Sequence, residues 1–142
     1  MAVSLVPNKE VWAMVVELLP SPLAQNKWKG TIEIYSTATL EELHLAIQDA
    51  VKFENDHLYQ FYVSEDQRSR ERKAFSHDDG SISSTKLTDI FPVEKGKNLF
   101  YWFDFGDDWM FKISKSKSGV KYPRLASQTG KKPVQYPDYD DE

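Results

Sequence analysis

Residues 99–113 read LFYWFDFGDDWMFKI, seven aromatic side chains in fifteen positions, broken by Asp104, Gly106, Asp107 and Asp108. Aromatic and aliphatic runs suit strands, and clustered Gly and Asp suit a turn. The stretch therefore predicts a β-hairpin over about residues 98–115. Two registers fit it. A two-residue Gly106–Asp107 turn of type II′ pairs Asp104 with Trp109 and puts Phe100, Trp102, Phe111 and Ile113 on one face. A three-residue loop, Gly106–Asp108, pairs Phe105 with Trp109 and groups Asp104 with Trp102, Met110 and Lys112. In the first register Asp104 lies on the apolar face and needs a partner. In the second it can reach Lys112. Both stay open, and in both Asp107 and Asp108 read first as turn residues whose carboxylates bond nearby N–H groups.

Around this hairpin the chain gives a short series of elements. VWAMVVELL (11–19) is a compact apolar run and reads as a buried strand. TIEIYS (31–36) and LYQFYVS (58–64) alternate and read as second and third strands. Thr39-Leu-Glu-Glu42 has the form of a capping box. Beyond it Leu40, Leu43, Ile47 and Ala50 recur at helical spacing, which predicts an amphipathic helix over 40–52. Residues 65–85 read as a charged surface loop, and KLTDIF (86–91) as a helical turn stopped by Pro92. Gly119, Pro123, Gly130, Pro133 and Pro137 argue against long regular elements after the hairpin, and the acidic end from about 134 to 142 reads as a frayed tail. The expectation is a single α+β domain over 1–142, with a mixed or antiparallel sheet, a β-grasp-like β-β-α-β start, a late hairpin and one main helix.

Composition narrows the chemistry. The chain has 142 residues, no cysteine, 13% aromatics and a formal net charge of −4. Disulfides, thiolate catalysis and cysteine-based metal sites are thereby removed. The charge supplies no overall drive toward nucleic acid or an anionic membrane. No signal peptide or membrane span is visible, so a cytoplasmic protein without a membrane partner is expected.

Two blocks carry a family resemblance. TLEELHLAIQDAVKFENDHLYQFYV (39–63) resembles an L-x-x-L-H-x-x-I-Q…W-x-x-x-H-L-x-x-F pattern, and KLTDIFPVEKGKNLFYWFDFGDDWMFKI (86–113) an L-x-x-[LV]-F…Y-x-Y-D-F-G-D-D-W-x-H-x-I pattern. YPR (122–124), Gly130 and Pro133 fit a closing Y-P-x…G-x-x-P-P-E-D segment. These are the marks of the Ri-plasmid open-reading-frame-three-like family (plasmid pRiA ORF-3-like), whose members are often labelled transposon passenger or TnpR-type proteins. The resemblance implies an α+β fold and no defined reaction. Phe111 stands where the pattern has His, Phe53 where it has Trp, and PVQYPDYDDE near the place of P-P-E-D-x-G-G. A serine resolvase needs an arginine-rich phosphate site. This chain has only Arg68, Arg70, Arg72 and Arg124, so the resolvase label finds no support.

The candidates for chemistry are few. Asp104, Asp107 and Asp108 with His57 could serve as acids, bases or oxygen-rich ligands, with Asp104, Asp107 and His57 holding a divalent cation such as Mg²⁺, Mn²⁺ or Ca²⁺. No H-E-x-x-H or other tight ligand motif accompanies them. His44 beside the helix's apolar stripe reads as hydrogen-bonded structure, and His77 with Asp78 and Asp79 as loop. D-F-G occurs without the other kinase parts. For binding, Lys112, Lys115, Lys117, Lys121, Tyr122 and Arg124 form a basic stretch that runs on to Lys132 without an Asp or Glu, and QRSRERK (67–73) forms another. Such stretches can grip phosphates and stack a base on Tyr122, although a solvated basic edge is the plainer reading. The sequence favours a non-enzymatic binding or accessory module of plasmid or mobile-element proteins, with a protein or nucleic-acid partner and no cofactor. The alternative is a metal-assisted hydrolase or nucleic-acid-processing enzyme. The oligomeric state is open.

Overall fold

The computed structural model describes residues 10–24, 27–117 and 124–135. The elements run β1 (Val11–Leu18), β2 (Trp28–Tyr35), α1 (Leu40–Val51), β3 (Tyr59–Ser64), β4 (Lys73–Phe75), α2 (Ser81–Ser84), α3 (Leu87–Ile90), β5 (Asn98–Phe103), β6 (Trp109–Lys117) and β7 (Arg124–Gly130). The seven strands form one sheet in the order β4-β3-β5-β6-β1-β2-β7, and every neighbouring pair is antiparallel. The α+β expectation holds, with the sheet settled as antiparallel, but the β-grasp-like start is not formed, because β3 pairs with β4 and β5 and is separated from β1 by two strands.

Strand alternation explains where the core lies. Trp12, Met14, Val16 and Leu18 of β1 share a face with Phe111 and Ile113 of β6 and with Leu99, Tyr101 and Phe103 of β5. In the same core cluster are Leu40, Leu43, Ile47, Ala50 and Val51 of α1. The helix starts where predicted. Thr39 Oγ1 accepts from the Glu42 N–H at 3.2 Å, and the Thr39 N–H donates to Glu42 Oε1 at 3.0 Å. It ends at Lys52, whose φ of 63° breaks the helical run. Gly30 is required by packing: a Cβ there would lie 2.6 Å from the ring of Trp28, which is buried and meets Phe111 edge to face.

Several expectations are corrected. The loop expected over 65–85 contains β4 and α2, and the region after the hairpin contains the seven-residue β7. Neither strand has a pattern of its own. All seven residues of β7 are exposed, and its strand state comes from backbone pairing with β2. β4 has one buried side chain, Phe75, directly opposite Phe61. Within the tail expected from 134, Gln135 is buried, whereas PDYDDE lies outside the described residues.

The hairpin takes neither anticipated register. Phe103 pairs with Trp109, leaving a five-residue loop, Asp104–Asp108. The reason is a hydrogen bond that local sequence cannot reveal. The Asp104 N–H donates to Leu58 O at 2.9 Å, which draws Asp104 out of the strand and into the left-handed region at φ 62°. Asp104 Oδ1 then accepts from the N–H groups of Gly106 (3.1 Å) and Asp107 (3.2 Å), and the Asp108 N–H returns to Asp104 O at 2.7 Å.

Candidate functional site

Asp104 is the best-built polar residue of the hairpin. Its side chain is 8% exposed, and its Oδ2 lies 3.3 Å from His57 Nε2. The imidazole of His57 sits edge-on to Phe103 and also lies 3.7 Å from Asp56 Oδ1. Asp56 in turn accepts from Gln135 Nε2 at 2.8 Å, while Gln135 Oε1 takes the Glu54 N–H at 2.7 Å. The stretch 54–57 therefore meets both the hairpin loop and the C-terminal segment. A carboxylate held against a half-exposed imidazole can orient that ring for proton transfer.

The other acidic candidates do not join this pair. Asp108 Oδ1 accepts from Trp102 Nε1 at 2.8 Å on the outer side of the hairpin. Asp107 follows in the loop and gives its N–H to Asp104. Among the described residues no group of three or more His, Asp or Glu side chains could hold a metal ion. Asp104, Asp107 and His57 thus do not form one ligand set.

The basic candidates are also separated, because side chains alternate across a strand. Lys112 lies opposite Phe100, on the outer face, whereas Lys115 lies on the core side, its ammonium 4.4 Å from the centre of the Trp12 ring. Lys117 pairs with Trp12 at the end of β6. Arg124 is ion-paired with the buried Glu33 at 2.6 Å. Lys121 and Tyr122 lie outside the described residues.

A buried polar network sits behind the Asp104–His57 pair. His44 is 2% exposed and lies flat on Tyr59, the ring centroids 3.5 Å apart. One neutral tautomer satisfies its whole surroundings. Nε2–H donates to Asn55 Oδ1, and Nδ1 accepts the Tyr101 hydroxyl proton. The Tyr101 oxygen accepts from Gln48 Nε2 at 2.9 Å, and Gln48 Oε1 accepts the Asn55 N–H at 3.0 Å. Burial is the main force lowering the His44 pKa from 6.5 to about 4, with the Asn55 bond opposing it and the His77 charge adding to it. Burial likewise pushes Tyr59 up to about 12 and Tyr101 well above its ordinary value. Sequence reasoning placed His44 as structure but missed Gln48, Asn55 and Tyr101. The available signal was His44 and Gln48 four residues apart, on one helical face.

The outer side of the hairpin is aromatic. Phe105 is 43% exposed and packs on Trp102 with centroids 4.4 Å apart. Leu58, the residue that binds the Asp104 N–H, is 65% exposed.

Comparison with known proteins places this geometry. No curated protein matches the chain. A solved structure, that of a protein of unknown function, MM3350, from Methanosarcina mazei Go1, superposes with a TM-score of 0.63. It is 23% identical, with 86% of this chain and 71% of that one covered, so the two share a fold. No helix among the described residues is long and apolar enough to cross a membrane. The family model for plasmid pRiA4b ORF-3-like proteins matches residues 24–135, a span that takes in α1, both arms of the hairpin and Gln135, and the chain belongs to that family of unknown function.

Proposed function

We propose that the protein is a non-enzymatic binding module, accessory to plasmid or mobile-element proteins, that docks a protein partner on the tip of its hairpin. The observation that carries this reading is Phe105, an exposed phenylalanine packed at a tilt against Trp102 in a loop that Asp104 braces with its own side chain. Exposed aromatics on a preorganised loop are what partner surfaces use as anchors. Leu58, whose carbonyl holds the Asp104 N–H, is also exposed. A nucleic-acid partner is less well supported, since Lys112 and Lys115 face opposite ways and Arg124 is neutralised by Glu33. The cysteine-free composition suits action in a reducing cytoplasm.

The test is a photo-crosslinking residue at position 105, compared with one at Leu45, which is equally open but on α1. A discrete protein adduct from 105 and none from 45 is expected. Identical adducts from both, or none from either, would remove the reading. One rival, metal-assisted hydrolysis, would have to build on the Asp104–His57 pair, which no third ligand joins among the described residues. That rival requires divalent cations to raise Tm by mass action and Asp104→Asn to abolish the shift.

A further inference from the structure

The outer face holds a second feature, which shares Trp102 with the hairpin tip. A cleft of about 300 Å³ opens between the segment after β1, the segment after β3 and the hairpin. Trp102 and Met110 line it together with Pro20 and Pro22 from the first segment and Arg68 and Arg72 from the second. Its volume is at the lower end of the range for small-molecule sites.

The charge in the cleft is built and unbalanced. Arg72 is fixed by three contacts: Nε donates to Ser69 O at 2.9 Å, Nη2 donates to Gln67 O at 3.2 Å, and the guanidinium lies 3.9 Å over the Tyr62 ring. The backbone N–H of Arg68 is held by Asp66 Oδ1 at 2.8 Å. Among the described residues neither guanidinium has a carboxylate partner. The one carboxylate that lines the cleft, Asp108, accepts from the Trp102 indole N–H and keeps its charge, so the two guanidiniums leave the lining with one net positive charge.

We propose that this cleft binds a small organic anion, a flat ring carrying one carboxylate or phosphate. The ring lies against Trp102 and Met110 between the prolines, and the anion meets Arg68 beside the fixed charge of Arg72. Arginine suits either group, because its planar fork bonds two oxygens at once. The mixed lining, apolar from Trp102, Met110 and the prolines and cationic from Arg68 and Arg72, suits an aromatic anion better than a bare ion or a plain hydrocarbon.

The test is an NMR titration of the full chain, labelled with ¹⁵N, against four probes: phenyl phosphate, phenylacetate, inorganic phosphate and benzyl alcohol. The Trp102 indole N–H reports the cleft, and the N–H of the fully buried Trp109 is the internal control. Saturable movement of the Trp102 signal at millimolar phenyl phosphate or phenylacetate is expected, and the tighter of the two identifies the anion. Inorganic phosphate and benzyl alcohol should bind at least tenfold more weakly. Arg68→Ala should raise the Kd at least fivefold with the Trp109 signal unmoved, and Arg68→Lys should recover part of the loss. No saturable shift with either ring anion, equal binding of benzyl alcohol, or full binding by Arg68→Ala would each overturn the proposal.

Discussion

The neutrality of His44 makes a sharp prediction about acid stability. In the folded chain Nδ1 must accept from Tyr101 and Nε2 must donate to Asn55, so the network has no place for a second proton. The folded pKa is about 4 against an ordinary value of 6.5. Between those two values the unfolded chain binds a proton that the folded chain refuses. Stability therefore falls as pH drops through 6.5 and levels off only below 4. With one pKa unit worth about 1.4 kcal/mol, this residue alone removes roughly 2 kcal/mol by pH 5 and about 3 kcal/mol by pH 4. The comparison is His44→Gln, which keeps an amide in the site but cannot titrate. Urea unfolding of both proteins at pH 7.5 and pH 5.0 gives the difference of differences, in which His57, His77 and the carboxylates cancel. The wild type should lose about 2 kcal/mol more than the variant, a midpoint shift on the order of 1 M urea at typical slopes. Equal pH dependence in the two proteins would refute the argument, because it would mean that His44 is protonated, or exposed, in the folded state.

Four further substitutions, at three positions, probe the fold and the frame of the site. Asp104→Ala removes the acceptor of two backbone N–H groups at a left-handed position, so a loss of about 2–3 kcal/mol is expected. Asp104→Asn keeps the acceptor and tolerates that conformation, and calorimetry should find it less than half as damaging. Gly30→Ala drives a Cβ to 2.6 Å from the Trp28 ring, which is packed on Phe111 and cannot swing away. A loss of about 1–3 kcal/mol with an altered near-ultraviolet circular dichroism spectrum is expected. At the alkaline end, Tyr59 ionises near pH 12 in the folded chain but near 10 when unfolded, so stability should fall between those values. Tyr59→Phe should flatten that fall in a urea series from pH 9 to 11.5.

The parts of the fold that were legible in the sequence are those fixed locally. The capping box of Thr39 and Glu42 and the 3.6-residue stripe of α1 need only a dozen neighbouring residues, and they lie where the pattern puts them. β1, β2 and β3 carry their own apolar run or alternation. β7 does not: RLASQTG is exposed on both faces, and only the open edge of β2 makes it a strand. Edge strands bury too little side chain to leave a periodic trace, so propensity and patterning miss them.

The candidate site divides along the same physical line. Asp104 was recognisable as the residue in need of a partner, and His57 was among the partners considered, since an acidic residue inside an aromatic strand must be satisfied somewhere. The register was not recognisable, because it depends on Leu58 O, a group from another strand's approach. The hidden residue is Asn55. Its N–H binds Gln48 of α1 and its amide binds His44, while its neighbours Glu54 and Asp56 bind Gln135, and His57 meets Asp104. Four consecutive residues, Glu54–His57, thus take partners from the helix, the hairpin and the C-terminal segment. Their own sequence, E-N-D-H, looks like solvated loop. What gives it a single conformation is that each partner is a buried or half-buried polar group whose own bonding would be left unmet by any other placement. An alternative hairpin register would pull Asp104 away from Leu58 O and from His57 together. The same polar contacts that make this corner a candidate site therefore also choose the register of the strands that form it.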